Sequence, residues 1–218
     1  EGKITKFNLT NMKYDSLDLK TRKKVDLYDN TTLFWAGSTK TNGRYMFHSM
    51  DATIGQTTNS LWLYAGTGNY ERIADKSAGV QNLLLGINDP IYPNFKNVPI
   101  GRIHDLVMCS NTTNDTTGAK CPNTPGQKGW YIELDHFKKV TAEPTVSSGL
   151  VYFPIYKPTT SVNKCSLGEA FICGVDDECG TNVSSRLGPN TKSIHSNEKC
   201  KYVGQGVLSR IVTFAGKL

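Results

Sequence analysis

The sequence predicts an all-β protein, on three observations. Its apolar segments are short, mostly β-branched or aromatic, and bounded by Gly, Asn, Asp or Pro. No window of a dozen residues keeps apolar positions at i, i+3, i+4 and i+7; the best attempt, KSAGVQNLLLGI, carries two glycines. A glycine turn precedes a strand-like segment at Gly2-Lys3-Ile4, Gly43-Arg44-Tyr45, Gly149-Leu150-Val151 and Gly216-Lys217-Leu218, which suggests a repeating unit of several strands.

In chain order the expected strands are ITKFNL, TLFWA, YMFHSM, LWLYAG, NLLLGI, IHDLVM, WYIEL, KKVTAEPTV, LVYFPI, EAFICGV and GVLSRIVTF. In LVYFPIY the rings alternate faces and are mostly core. Pro154 in that run points to an edge strand or a bulge, because proline has no N–H for an interior ladder. About a dozen strands at four per blade make about three blades of a β-propeller. A closed propeller needs more, so residues 1–218 are expected to be part of one propeller domain in a longer chain. The opening at Glu1 without a methionine and the stop inside a strand-like AGKL agree with a fragment. The spacing from Gly149 to Gly216 exceeds the roughly 40–50 residues of a compact blade. Loop inserts are therefore expected at about 109–126 and 157–203.

The 25 Lys plus Arg against 19 Asp plus Glu give a net charge of +6, but the basic residues are scattered, so nucleic acid is not an expected partner. The cluster Lys20, Arg22, Lys23, Lys24 reads as a solvated edge or loop. No apolar segment approaches the roughly 20 residues that cross a bilayer, so no transmembrane segment is expected.

Cys109, Cys121, Cys165, Cys173, Cys179 and Cys200 lie in polar, Gly- and Asn-rich surroundings, which favours disulfides and an oxidising compartment. Zinc would want paired C-x2-4-C knuckles, and the closest spacing is the C-x5-C of Cys173 and Cys179. Six cysteines allow 15 pairings, and Cys109 with Cys121, closing the loop SNTTNDTTGAK, is the pair expected. Five N-x-S/T triplets, at Asn8, Asn30, Asn111, Asn114 and Asn182, are what an Asn-rich chain produces by chance.

LWLYAGTGNYE tests for a phosphate cradle. A dinucleotide-binding turn needs G-x-G-x-x-G opening a helix, but Glu71 stands where the third glycine belongs and RIADKSAG is too short for the helix. The glycines are expected instead to turn the chain with positive φ after a buried strand. Hydrolase signatures are missing, and His48, His104, His136 and His195 lie far apart without spaced partners. The trio Asp176, Asp177, Glu178 lacks the D-x-D-x-D-G spacing of a calcium loop and reads as a strand-ending turn. No catalytic, cofactor-binding or metal-ligating residue is assigned, and no enzyme activity is expected.

LWLYAGTGNYE, QNLLLGINDP, KGWYIELD, KKVTAEPTVSSGLVYFPIYKPTT, GEAFICGVDDECG and GVLSRIVTF, in that succession, resemble the C-terminal propeller region of type IV pilus biogenesis factors and tip-associated adhesins of the PilC/PilY type. The resemblance runs from about Leu61 to Phe214. It implies a secreted bacterial protein, exported through the periplasm to the pilus tip at the cell surface. Its implied partners are minor pilins and an unidentified host or abiotic surface receptor, and its implied roles are fibre assembly, adhesion and twitching motility. The family's Asp-rich Ca2+ loop would fall upstream of Glu1, so no metal ligand is carried over and no cofactor is expected within these residues. Two other classes remain: a quinoprotein-dehydrogenase-like propeller enzyme, against which stands the lack of a Cys-Cys dipeptide, and a carbohydrate-binding propeller.

Overall fold

Short apolar segments pair into strands, and no α-helix occurs among the described residues of the computed structural model, which are 2–8, 29–38, 43–76, 80–93, 101–102, 105–109, 128–135, 137–159, 167–181 and 199–214. In chain order the strands are β1 (Lys3–Asn8), β2 (Asp29–Trp35), β3 (Asp51–Ile54), β4 (Leu61–Gly66), β5 (Leu83–Asp89), β6 (Gly101–Arg102) and β7 (Val107–Cys109). They continue with β8 (Gly129–Glu133), β9 (Lys139–Val140), β10 (Thr145–Ser147), β11 (Leu150–Lys157), β12 (Glu169–Asp176) and β13 (Cys200–Gln205).

Three sheets result. Sheet I joins β1 and β2 antiparallel, with β6 parallel to β2. Sheet II is an antiparallel run β3-β4-β5-β8, extended by β7 parallel to β8. Sheet III is an antiparallel run β10-β11-β12-β13, with β9 against the other end of β11.

Side-chain alternation stacks these sheets. Along β4, Trp62 and Tyr64 point one way and Leu63 and Ala65 the other. The first pair, with Leu84, Trp130 and Ile132, meets Val140, Val151, Phe153, Ile155 and Val175 of sheet III. The opposite face of sheet II, through Ala65, Leu83, Leu85 and Ile87, meets Ile4, Leu33 and Phe34 of sheet I. Sheet II is thus the middle layer, and every residue of β5 is buried. That is why LLLGI is a continuous apolar run rather than an alternating one. Lys6 of β1 forms an ion pair with the buried Asp89 at the end of β5, a charge link across the same junction.

One of the two tryptophan rings at the II–III junction needs a gap in the neighbouring strand. Trp130 lies directly opposite Gly86, and a Cβ on Gly86 would stand 2.3 Å from Trp130 Cε2. The ring fills that gap, meets Phe153 edge-on at 6.4 Å, and donates its Nε1–H to the carbonyl oxygen of Asp177 at 2.9 Å.

Four expectations change. YMFHSM forms no strand: Met46 packs on the I–II core while Tyr45 and Phe47 face outward, so its alternation reflects side-chain direction without a ladder. GVLSRIVTF also forms no strand, only Phe214 making a β-bridge; Thr141 and Thr145 hydroxyls donate to its Leu208 and Ile211 carbonyls, and Ile211 covers Leu150 and Tyr152. DATI and CKYVGQ are strands although neither was among those expected, and the stretch 157–203, expected as a loop insert, supplies β12 and β13. EAFICGVD has the alternation and length to pair with all of β11, residue for residue from Leu150↔Asp176 to Lys157↔Glu169. Finally, Pro154 lies inside a central strand. Its carbonyl accepts from Thr141 N–H on the side where β9 has ended and β10 not yet begun, so the absent proline N–H faces a break in the ladder.

Candidate interaction surface

The Gly66-Thr67-Gly68 turn proves to be a joint between sheets. Neither glycine has positive φ, contrary to expectation. Both are needed for close approach: a Cβ on Gly66 would meet Val140 Cγ2 at 2.3 Å, and one on Gly68 would meet Lys139 Cβ at 2.9 Å. Val140 N–H donates to Thr67 O at 3.2 Å, so β9 is stitched to the turn. The buried Thr67 hydroxyl accepts from Leu83 N–H at 2.8 Å and donates to Asn82 Oδ1 at 3.2 Å, and Asn82 Nδ2 donates to Lys138 O. The next residues close over Lys139, whose ammonium donates to the carbonyls of Arg72, Ile73 and Asp75 at 2.7–2.9 Å. Burial lowers the Lys139 pKa, with Asp75 opposing. RIAD is therefore a cation cap, and the backbone N–H groups of the turn are spent on protein carbonyls: Thr67 N–H on Leu83 O and Gly68 N–H on Tyr45 O.

The acidic trio is a clamp. Asp176 Oδ1 accepts from the backbone N–H of Glu178 and Cys179, holding the turn after β12. Glu178 reaches across to the β3–β4 turn, where its two oxygens accept from Thr57 N–H at 2.7 Å and Thr58 N–H at 2.8 Å. Burial alone would raise the Glu178 pKa, but these hydrogen bonds outweigh it and hold the carboxyl below its ordinary value. Thr58 Oγ1 in turn accepts from Trp62 Nε1–H at 2.8 Å. Asp176 Oδ1 and both Glu178 oxygens are thus committed to backbone donors, and no group of three or more His, Cys, Asp or Glu that could hold a metal occurs among the described residues.

Of the cysteines, Cys173 and Cys200 face each other across β12 and β13 and are joined by a disulfide. Cys179 is also disulfide-bonded. Cys109 ends β7 in the same core, its Sγ donating to Cys179 O at 3.3 Å. Cys121, Cys165, His104, His136, His195 and the basic cluster at 20–24 lie outside the described residues, as do the expected Cys109–Cys121 pairing and most of the insert at 109–126.

One feature was not foreseen. Tyr45, Phe47, Met50 and Tyr70 are each more than 40% exposed or at that level, and they form a ledge. Tyr45 and Phe47 rings lie 5.9 Å apart, and His48 meets Tyr70 edge-on at 5.1 Å. His48 Nε2 is buried without a hydrogen-bond partner, and burial lowers its pKa, with Glu143 opposing. Glu143 is held by Arg210 at 2.7 Å. The available signal was composition: YMFHSM carries bulky side chains on both parities of its alternation, more than one buried face accepts.

These features define an all-β protein of three stacked sheets, two of them built on four-stranded antiparallel runs, with an exposed aromatic ledge beside the joint between them. Among solved structures, the crystal structure of the Pseudomonas aeruginosa PilY1 C-terminal domain is similar, with a TM-score of 0.61 and 15% sequence identity; the match covers 94% of this chain and 50% of that one. The chain thus shares that domain's fold and spans about half its length. No protein-family model and no curated protein sequence matches it.

Proposed function

We propose that this chain is part of a β-propeller in an exported, non-enzymatic type IV pilus-associated protein of the PilC/PilY type. It would act at the pilus tip with minor pilins to support fibre assembly, surface attachment and twitching. The observation that carries this reading is the pair of consecutive four-stranded antiparallel runs, β3-β4-β5-β8 and β10-β11-β12-β13, stacked face to face as adjacent blades would be. The likeness to the PilY1 C-terminal domain over nearly the whole chain supports it, as does a disulfide, which suits an oxidising compartment. The spent N–H groups of the Gly66–Gly68 turn argue for work through surfaces rather than on a bound nucleotide.

The parts offered to partners are the segment between β7 and β8, the segment between β12 and β13, and the ledge of Tyr45, Phe47 and Tyr70. Loops on a rigid scaffold are where binding groups concentrate. The test is complementation of a deletion strain with the full-length gene. Wild type is expected to restore piliation and twitching, whereas Tyr45→Ala/Phe47→Ala/Tyr70→Ala is expected to cut attachment several-fold with an unchanged melting temperature. Normal twitching in the deletion strain, or a stoichiometric quinone absorbance in the purified full-length protein, would overturn the reading.

A further inference from the structure

We propose that the outer side of sheet III, through the outward side chains of Val207, Val212 and Phe214, is the seat of a further β-sheet of the same protein. The proposal rests on the reading of the chain as part of a propeller and names the surface on which the next blade packs.

Sheet III is apolar on both faces. Alternation along β11 sends Val151, Phe153 and Ile155 toward sheet II and leaves Leu150 and Tyr152 on the opposite side, where Ile172 of β12 packs with them. Tyr156 and Ala170, paired across β11 and β12 on that same outer side, are buried as well. A sheet that ends a stack alternates apolar and polar, whereas one that is apolar on both faces belongs inside a stack, as sheet II does.

The segment after β13 lies on that outer side. Gly206 N–H donates to Gly168 O at 2.8 Å, the Thr141 and Thr145 hydroxyls hold Leu208 O and Ile211 O, and Ile211 sits on Leu150 and Tyr152. With Ile211 turned inward, the next apolar side chains turn out: Val212 is 72% exposed and Phe214 83%. Leu167 and Val207, which flank the Gly168–Gly206 bond, are exposed too. An apolar strip of this kind marks a contact surface.

The layers beneath point to the occupant. The I–II and II–III junctions are built from Val, Leu, Ile and aromatic side chains of facing sheets, and Val207, Val212 and Phe214 present the same types outward. The charge on the segment, Arg210, is already paired with Glu143, which leaves an acidic partner little to recognise. Burial alternates from Ile211 to Phe214, and Phe214 makes a β-bridge, so the segment is strand-like and a sheet is the layer that fits it.

Hydroxyl-radical footprinting of the wild-type full-length protein tests this without a substitution. Phe47 and Phe214 carry the same ring, and exposures of 43% and 83% would make Phe214 the faster to oxidise by about twofold. With the seat occupied, Phe214 is expected to oxidise about fivefold more slowly than Phe47; a Phe214 no slower than Phe47 overturns the proposal. Light scattering on the same sample separates a sheet of the same protein from a second copy. Protection in a monomer supports the proposal, and protection that disappears as a dimer is diluted overturns it. Particle images keep the two readings apart: a closed ring of sheets with Phe214 open to solvent overturns the seat alone, and a protected Phe214 without a ring overturns the propeller alone.

Discussion

Gly86 sets the packing of Trp130, one of two fully buried tryptophans in the core. An alanine there would drive its methyl into Trp130, whose ring is fixed by Asp177 O on one edge and Phe153 on another. Gly86→Ala is expected to destabilise the protein by about 2–3 kcal/mol, as overpacked cores do. Gly204, on β13, has open space around its missing side chain and no positive φ, so Gly204→Ala is expected to change stability by less than about 1 kcal/mol. Denaturant midpoints of the two variants check the contrast; equal losses would mean that the ring yields. Only part of this was legible in sequence. LWLYAG and NLLLGI read correctly as strands, but the role of Gly66, Gly68 and Gly86 did not, because each answers to a side chain dozens of residues away. Positive φ and close approach leave the same letter in the sequence, and only the fold separates them.

At the scale of elements, β11 and β12 were readable because eight-residue segments of the right composition fix their own register. β9 and β10 were read as one strand, since KKVTAEPTV carries nothing to mark a break except Pro144, and the break exists to accommodate Pro154 on the partner. β3 and β13 were missed because each is an outer member of its sheet, half exposed and weakly apolar. The ledge was missed for the opposite reason, bulky side chains that looked destined for a core. β13 is held to β12 by sulfur as well as by hydrogen bonds. With a separation of 27 residues, chain entropy puts the contribution of the Cys173–Cys200 bridge at about 3–4 kcal/mol. Cys173→Ser/Cys200→Ser is expected to lower the unfolding free energy by about that amount under non-reducing conditions. A loss well below 1 kcal/mol would show that the ladder alone fixes β13.

For the whole molecule, two carboxylates a residue apart give opposite pH dependences. Glu178 is held below its ordinary value, so its contribution is present above about pH 4.3 and is lost as pH falls through its folded value. Asp177 works in reverse between about 4 and 6. Stability is expected to be greatest near about pH 4, and Glu178→Gln is expected to remove the acid limb while leaving the alkaline fall in place. Melting temperatures across pH 3–8 check this, and a maximum above pH 7 would contradict it. The stacking order of the sheets was not legible, because it depends on which face of each strand meets which neighbour, a property of register rather than of composition. The covalent ring closed by Cys173 and Cys200 has a last consequence. Tension passed from β12 to β13 crosses the sulfur bridge, so chain length between Thr181 and Lys199 adds nothing to how far the molecule stretches as a tether.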